Sequence, residues 1–259
     1  MSIKPIGIFD SGVGGTSIFK EINALLPNEN CIYLADSKNA PYGNKPEEEI
    51  LKLSIKNTEY LLDKGCKIIV VACNTATTNA ISYLRANYKV PFIGIEPAIK
   101  PAALNTKSNA IGILATKGTL SSQLFHKTTD LYASNIKVIE QVGEGIVPLI
   151  ENGKLASNEM KVLLEAYLKP MIDQNIDYLV LGCTHYPYLI PMLTHMLPKH
   201  VKIIDSGLAV AKQTQAILSH ENLLNTSGKK PSINLYSNGD VSVLKSIVKH
   251  KFNVSFLDV

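Results

Sequence analysis

Two cysteines, Cys73 and Cys183, each end an apolar run and are followed at once by polar residues. In residues 67–78, KIIVVACNTATT, the β-branched stretch Ile68, Ile69, Val70 and Val71 gives way to Ala72, Cys73, Asn74 and Thr75. Residues 178–188, YLVLGCTHYPY, repeat the pattern, with Cys183 followed by Thr184 and His185. A free thiol has a pKa of about 8.5, so thiol and thiolate are both accessible near neutrality. Three chemistries use such a group. A nucleophilic thiol needs one cysteine and one base, and leaves the second cysteine unexplained. A redox pair uses both, provided the two touch. Two thiols on opposite faces of a carbon acid account for the duplication most directly: one removes a proton as thiolate, the other returns one as thiol, and the stereocentre inverts.

Cys31 and Cys66 lie within segments that read as core, where free cysteine is common. Cys73 and Cys183 each have a polar neighbour suited to tuning a thiol: Asp10 for Cys73 and His185 for Cys183. Both are expected beside a helix N-terminus, whose partial positive charge favours thiolate. The bland reading of Asp10 is a helix cap, and that of His185 a structural turn residue.

For the cysteines to meet, the strands carrying them must present their carboxyl ends to a shared space. Residues 6–10, IGIFD, read as a first buried strand, followed by the turn Ser11-Gly12-Val13-Gly14-Gly15 and a helix over 16–26. Further strands are expected at 31–35, 68–71 and 91–95, with a charged amphipathic helix over 46–64 and another from Cys73 to about Tyr88. Pro41-Tyr42-Gly43 is turn chemistry carrying an aromatic hydroxyl. Ile111-Gly112-Ile113-Leu114-Ala115-Thr116 then aligns with Ile6-Gly7-Ile8-Phe9-Asp10-Ser11, residues 136–140 parallel the second strand, Cys183 answers Cys73, and 201–205 answer 90–95. Repeats in the same order indicate two units of common design. The expected fold is α/β: two doubly wound parallel-sheet domains, 1–97 plus 207–259 and 98–206, related by a pseudo-two-fold with the active site in the cleft between them. The last stretch adds a helix over 208–219, a strand over 233–237 and a short strand-like end.

Composition narrows the function classes. Hydrophobic content of 46% with 19% charged residues suits a globular chain of 259 residues. A net charge of +4, with lysines scattered, argues against nucleic-acid binding. No basic region followed by an apolar run opens the chain, and no run reaches membrane-spanning length, so a cytoplasmic location is expected. The four cysteines form no CxxC pair, and Cys183 and His185 lack a second pair of ligands, so neither a disulfide framework nor a metal site is expected. The glycine turn fits neither GxGxxG nor the Walker spacing, and no nucleotide is expected on it. With Arg85 the only arginine, a carboxylate ligand has to be held by backbone N–H groups, hydroxyls or lysine.

FDSGVGG at 9–15, PYG at 41–43, ACNTA at 72–76, IGIxxT at 111–116 and GCTHYP at 182–187 together resemble bacterial glutamate racemase, in order and over essentially the whole chain. The resemblance implies a cofactor-independent racemase that interconverts L- and D-glutamate, the latter for peptidoglycan, and that acts as a homodimer. It implies Cys73 and Cys183 as the acid/base pair, with Asp10, His185 and Glu151 as helpers. Glu151, in VPLIENG, reads from the sequence alone as a helix-surface charge. Substrate contacts carried by motif are Asp10, Ser11, Tyr42, Gly43, Asn74, Thr75, Thr116, Thr184 and His185, with Thr119 a further one. Removing the α-proton of an amino acid without pyridoxal phosphate leaves a carbanion that nothing delocalises, so the site must stabilise enolate-like charge on the α-carboxylate. Ser11, Asn74, Thr75, Thr184 and helix-start N–H groups are the donors at hand. An aspartate racemase, a non-catalytic amino-acid-binding protein of the same fold and a thiol oxidoreductase are the alternative readings.

Overall fold

The computed structural model describes residues 2–258. The apolar runs Ile6–Asp10, Ile68–Val71, Ala110–Ala115 and Tyr178–Gly182 form central strands buried on both faces, each leading toward a helical segment, as in parallel sheets. The first unit runs β1 (Ile6–Asp10), α1 (Thr16–Leu25), β2 (Cys31–Ala35), α2 (Glu47–Asp63), β3 (Ile68–Val71), α3 (Asn74–Asn87) and β4 (Phe92–Gly94). The second runs α4 (Ile99–Asn105), β5 (Ala110–Ala115), α5 (Lys117–Leu120), α6 (Gln123–Ala133), β6 (Lys137–Val142), α7 (Ile146–Glu151), α8 (Asn158–Asp173), β7 (Tyr178–Gly182), α9 (Ile190–Met196) and β8 (Lys202–Ile204). The chain then returns to the first sheet through α10 (Gly207–His220), β9 (Ile233–Ser237), α11 (Val241–Ile247) and β10 (Asn253–Phe256).

Every strand pairing is parallel. The larger sheet has the order β10-β9-β2-β1-β3-β4 and the smaller β6-β5-β7-β8. The core of the first, 2-1-3-4, is thus repeated strand for strand in the second, and β9 and β10 extend only the first. One apolar cluster joins the two units, holding Ile8, Val13 and Phe19 from the first and Leu164, Leu179 and Tyr186 from the second. Separate clusters cover the outer face of each sheet.

Element ends differ from the sequence expectation by a residue or two. Pro46 caps α2 instead of opening it, and Leu26 closes α1 from outside the helix. β4 and β8, one edge of each sheet, keep only three residues each. The returning segment is fastened at the amino ends of the first sheet. There Lys67, buried before β3, donates to Glu29 at 2.6 Å and to the carbonyls of Ser2 and Leu223 at 2.9 and 2.7 Å. Glu29 in turn accepts the Asn225 N–H at 2.7 Å.

Candidate active site

In a 2-1-3-4 sheet the helices change side between strands 1 and 3, and the crevice outside their carboxyl ends is where ligands bind. Here β1 ends at Asp10-Ser11 and β3 leads to Cys73; in the smaller sheet β5 leads to Thr116 and β7 to Cys183. The two crevices face one another. Ser11, Pro41, Tyr42, Gly43, Cys73, Asn74, Thr75, Thr116, Val147, Cys183, Thr184 and His185 line a single cavity, with about 10 Å³ open to the centre of a water molecule. That is about the room one water needs, less than an amino acid requires.

The two thiols differ in their surroundings. Cys73 is the N-cap of α3, where its sulfur accepts the Ala76 N–H at 3.4 Å and its thiol points to the Ser11 hydroxyl at 3.6 Å. Burial, reinforced by the charge of Asp10, pushes its pKa above the ordinary thiol range, against the smaller opposing effect of these hydrogen bonds. The helix N-terminus alone therefore does not make Cys73 a thiolate. Cys183 has no such cap: a short 3₁₀ turn, Tyr186–Leu189, follows it, so the expected match of helix contexts does not hold. Its partner is His185, whose Nδ1 lies 3.7 Å from the sulfur.

Nε2 of His185 lies 2.6 Å from Glu151 Oε1. Burial lowers the imidazole pKa, but the hydrogen bonds to Cys183 and Glu151 outweigh it and hold His185 well above its usual value. Thiol, imidazole and carboxylate thus form a line of the kind that stabilises a thiolate–imidazolium pair. The Gly14 N–H stands 3.2 Å from the same Nε2 and donates only when that nitrogen is bare, so each protonation state of the ring has a partner. Glu151 also accepts the Val13 N–H at 2.6 Å and the Ser37 hydroxyl at 2.9 Å. Far from being a helix-surface charge, it ends α7 pointing inward with its side chain 11% exposed.

Asp10 is fully buried, with Oδ2 accepting the Gly12 and Gly15 N–H groups at 3.2 and 2.9 Å and Oδ1 the Thr184 hydroxyl at 3.3 Å. It therefore caps the turn and reaches the other unit as well. Burial raises its carboxyl above the usual range, opposed chiefly by His185 and the Gly15 N–H. It stands behind the cavity wall instead of lining it. The glycine turn makes room for the opposite unit: a Cβ on Gly12 would lie 2.0 Å from Glu151 Oε1, and one on Gly14 2.2 Å from His185 Nδ1. The space beside the glycine turn is filled here by the Glu151 and His185 side chains.

Among the residues expected at the substrate, Ser11, Tyr42, Gly43, Asn74, Thr75, Thr116, Thr184 and His185 line the cavity. Asn74 is buried with both side-chain polar atoms unpartnered, an arrangement that a polar ligand would satisfy. Thr75 and Thr116 meet hydroxyl to hydroxyl at 2.9 Å across the cleft, and Thr119, 2.9 Å behind Thr116, braces it from outside the lining. The Tyr42 hydroxyl is turned away onto Asp36. Val147 in α7 lines the cavity and was not anticipated; the buried run Ile146, Val147, Leu149 and Ile150 was its only signal. Among the described residues no cluster of three or more His, Cys, Asp or Glu is placed to hold a metal ion, and no helix is long and apolar enough to cross a membrane.

Residues 6–214 match the family model described as Asp/Glu/Hydantoin racemase. A glutamate racemase of Ectopseudomonas mendocina is 44% identical over 248 residues, 95% of this chain and 94% of the relative. The structure of Escherichia coli glutamate racemase with L-glutamate and the activator UDP-MurNAc-ala superposes with a TM-score of 0.88 at 30% identity, covering 99% of each chain. That of Francisella tularensis glutamate racemase with D-glutamate gives 0.86 at 30% identity, over 100% of this chain and 98% of the other. Facing strand-end thiols, the repeated sheet and these likenesses lead to one conclusion: the chain belongs to the Asp/Glu/Hydantoin racemase family of isomerases, and its similarity within that family is to glutamate racemases.

Proposed function

We propose that this chain interconverts L- and D-glutamate without a cofactor, with Cys73 and Cys183 as the two acid/base groups. The observation that carries the reading is the unlike setting of two thiols on one cavity: Cys73 held toward the thiol form by burial, Cys183 paired with a histidine whose pKa is raised. In the L-to-D direction Cys183, as thiolate beside the His185 imidazolium, removes the α-proton, and the Cys73 thiol delivers one to the opposite face. In the D-to-L direction the roles exchange: Cys73 becomes the base, and Asp10, behind it, is its helper, holding the turn that carries Ser11 against the thiol. Asn74, Ser11, Thr75 and Thr184 are the donors for the growing charge on the α-carboxylate. Among the described residues no lysine lines the cavity to carry a Schiff base. The relatives solved with L- and D-glutamate support glutamate as the substrate. The two units, 1–97 plus 207–259 and 98–206, act as domains that part to admit it, in a cytoplasmic homodimer whose product serves peptidoglycan synthesis.

Conversion of L-glutamate in deuterated water tests the mechanism. Early D-glutamate should carry deuterium at the α-carbon while recovered L-glutamate stays almost unlabelled, because the incoming deuteron comes from a thiol equilibrated with solvent. Substantial protium retained in the early product would overturn the two-thiol scheme. Activity should survive EDTA and hydroxylamine, and turnover of L-aspartate or a hydantoin in place of glutamate would overturn the substrate assignment.

A further inference from the structure

Behind the cavity wall lies a buried carboxylate that the reaction scheme does not use. Asp36 follows β2 and is 1% exposed, and no lysine, arginine or histidine pairs with it among the described residues. Four neutral donors converge on it instead. Oδ2 accepts the Tyr42 hydroxyl and, at 3.4 Å, the Asn57 amide; Oδ1 accepts the Asn39 amide at 2.8 Å and the Asn238 amide. The Asn57 amide also donates to the Tyr42 oxygen at 3.1 Å, and Asn238 accepts the Lys38 N–H at 2.9 Å. Two oxygens surrounded only by donors suit an acceptor-only group, and hydrogen bonds to a charged acceptor are the strong kind.

The donors come from separate segments: the turn after β2, the Pro41–Gly43 loop, α2 and the turn after β9. The first two are one continuous stretch whose far end walls the cavity through Pro41, Tyr42 and Gly43. We propose that Asp36 is a positioning residue for substrate recognition, a buried anchor that presets this wall and removes the Tyr42 hydroxyl from the substrate's reach. Tyr42 then contributes its place in the wall and not a hydroxyl, and its phenol, pushed up by burial and by Asp36, stays a neutral donor. Misplacing such a wall by a fraction of an ångström weakens substrate binding while both thiols remain intact.

The inference rests on the racemase reading, and the test separates the two. The wild-type chain is first offered glutamate, aspartate and hydantoins, and the amino acid it racemises is used throughout. Against an active wild type, Asp36→Asn should raise KM about ten-fold or more in both directions with kcat within about three-fold. Tyr42→Phe should move KM the same way by a smaller factor, and the double variant should match Asp36→Asn, since both changes act on one hydrogen bond. Should Asp36→Asn not fold, Asn57→Ala and Asn238→Ala carry the test, each raising KM. An unchanged KM with lowered thermal stability, a loss confined to kcat, or multiplying effects in the double variant would overturn the anchor. Racemisation of a substrate other than glutamate overturns the substrate assignment alone, and no turnover of any of them overturns both.

Discussion

The carboxylate of Glu151 stands 2.6 Å from Nε2 of His185 and, through the same oxygen, 2.6 Å from the backbone nitrogen of Val13. One atom therefore orients the imidazole beside Cys183 and fastens the glycine turn of the opposite unit. The contact between the units and the orientation of the imidazole thus depend on the same carboxylate oxygen.

Glu151→Gln preserves the shape of that contact and removes its charge. Loss of the carboxylate should lower the His185 pKa, so the imidazolium that supports the Cys183 thiolate disappears at lower pH. The alkaline limb of kcat/KM should move toward neutrality, with kcat at neutral pH reduced by about ten- to a hundred-fold. A pH–rate profile by circular dichroism in the L-to-D direction checks this, and an unmoved alkaline limb would separate Glu151 from the histidine.

Cys73→Ala and Cys183→Ala should each lower racemisation by more than about a thousand-fold with a native circular dichroism spectrum, since neither removes a core-sized volume. Cys31→Ala and Cys66→Ala should stay active, at a stability cost of about 1 kcal/mol each for the lost packing. Turnover at the wild-type rate by either of the first pair would refute the acid/base assignment.

The strand-end cysteines were legible in the sequence because an abrupt change from β-branched to polar residues marks the edge of a parallel sheet. The repeat of that change announced two parallel-sheet units of common design, but the order of strands within each sheet was read only from the structure. Glu151 was legible only through resemblance: its burial depends on Val13 and Ser37, more than a hundred positions away, and helical periodicity carries no trace of them. Tyr42, too, was named through resemblance: it lines the cavity as expected there, while its hydroxyl donates to Asp36, a pairing the sequence did not show.

Two cysteines outside the site set an alkaline limit. Burial pushes the Cys31 and Cys66 thiols up to about 12 from an ordinary 9.0. Each is protonated in the folded chain where it ionises in the unfolded one, so their contribution is complete below about pH 9 and is lost as pH rises toward 12. Urea midpoints should therefore fall between those pH values, and Cys31→Ala with Cys66→Ala should flatten the decline. A steeper decline in the double variant would contradict the sign.

Lys67 and Glu29 are each 2% exposed, so removing one leaves the other charged and buried. Lys67→Met should cost about 3–5 kcal/mol, and adding Glu29→Gln should return part of it. Thermal melts of both variants decide the matter; a loss below about 1 kcal/mol for Lys67→Met would mean that water reaches the site.

The strand order also bears on how the chain is made. β2 has β1 on one side and β9 on the other, and β9 is translated some two hundred residues later. On the ribosome the smaller sheet, built from one continuous stretch, has all its strands before the larger one does. Until the last segment emerges, β2 presents an open edge, the feature that templates pairing with another chain. The nascent protein thus carries that open edge until late in synthesis, after the strands of the smaller sheet have emerged, and truncation before Ile233 leaves it permanently unpaired.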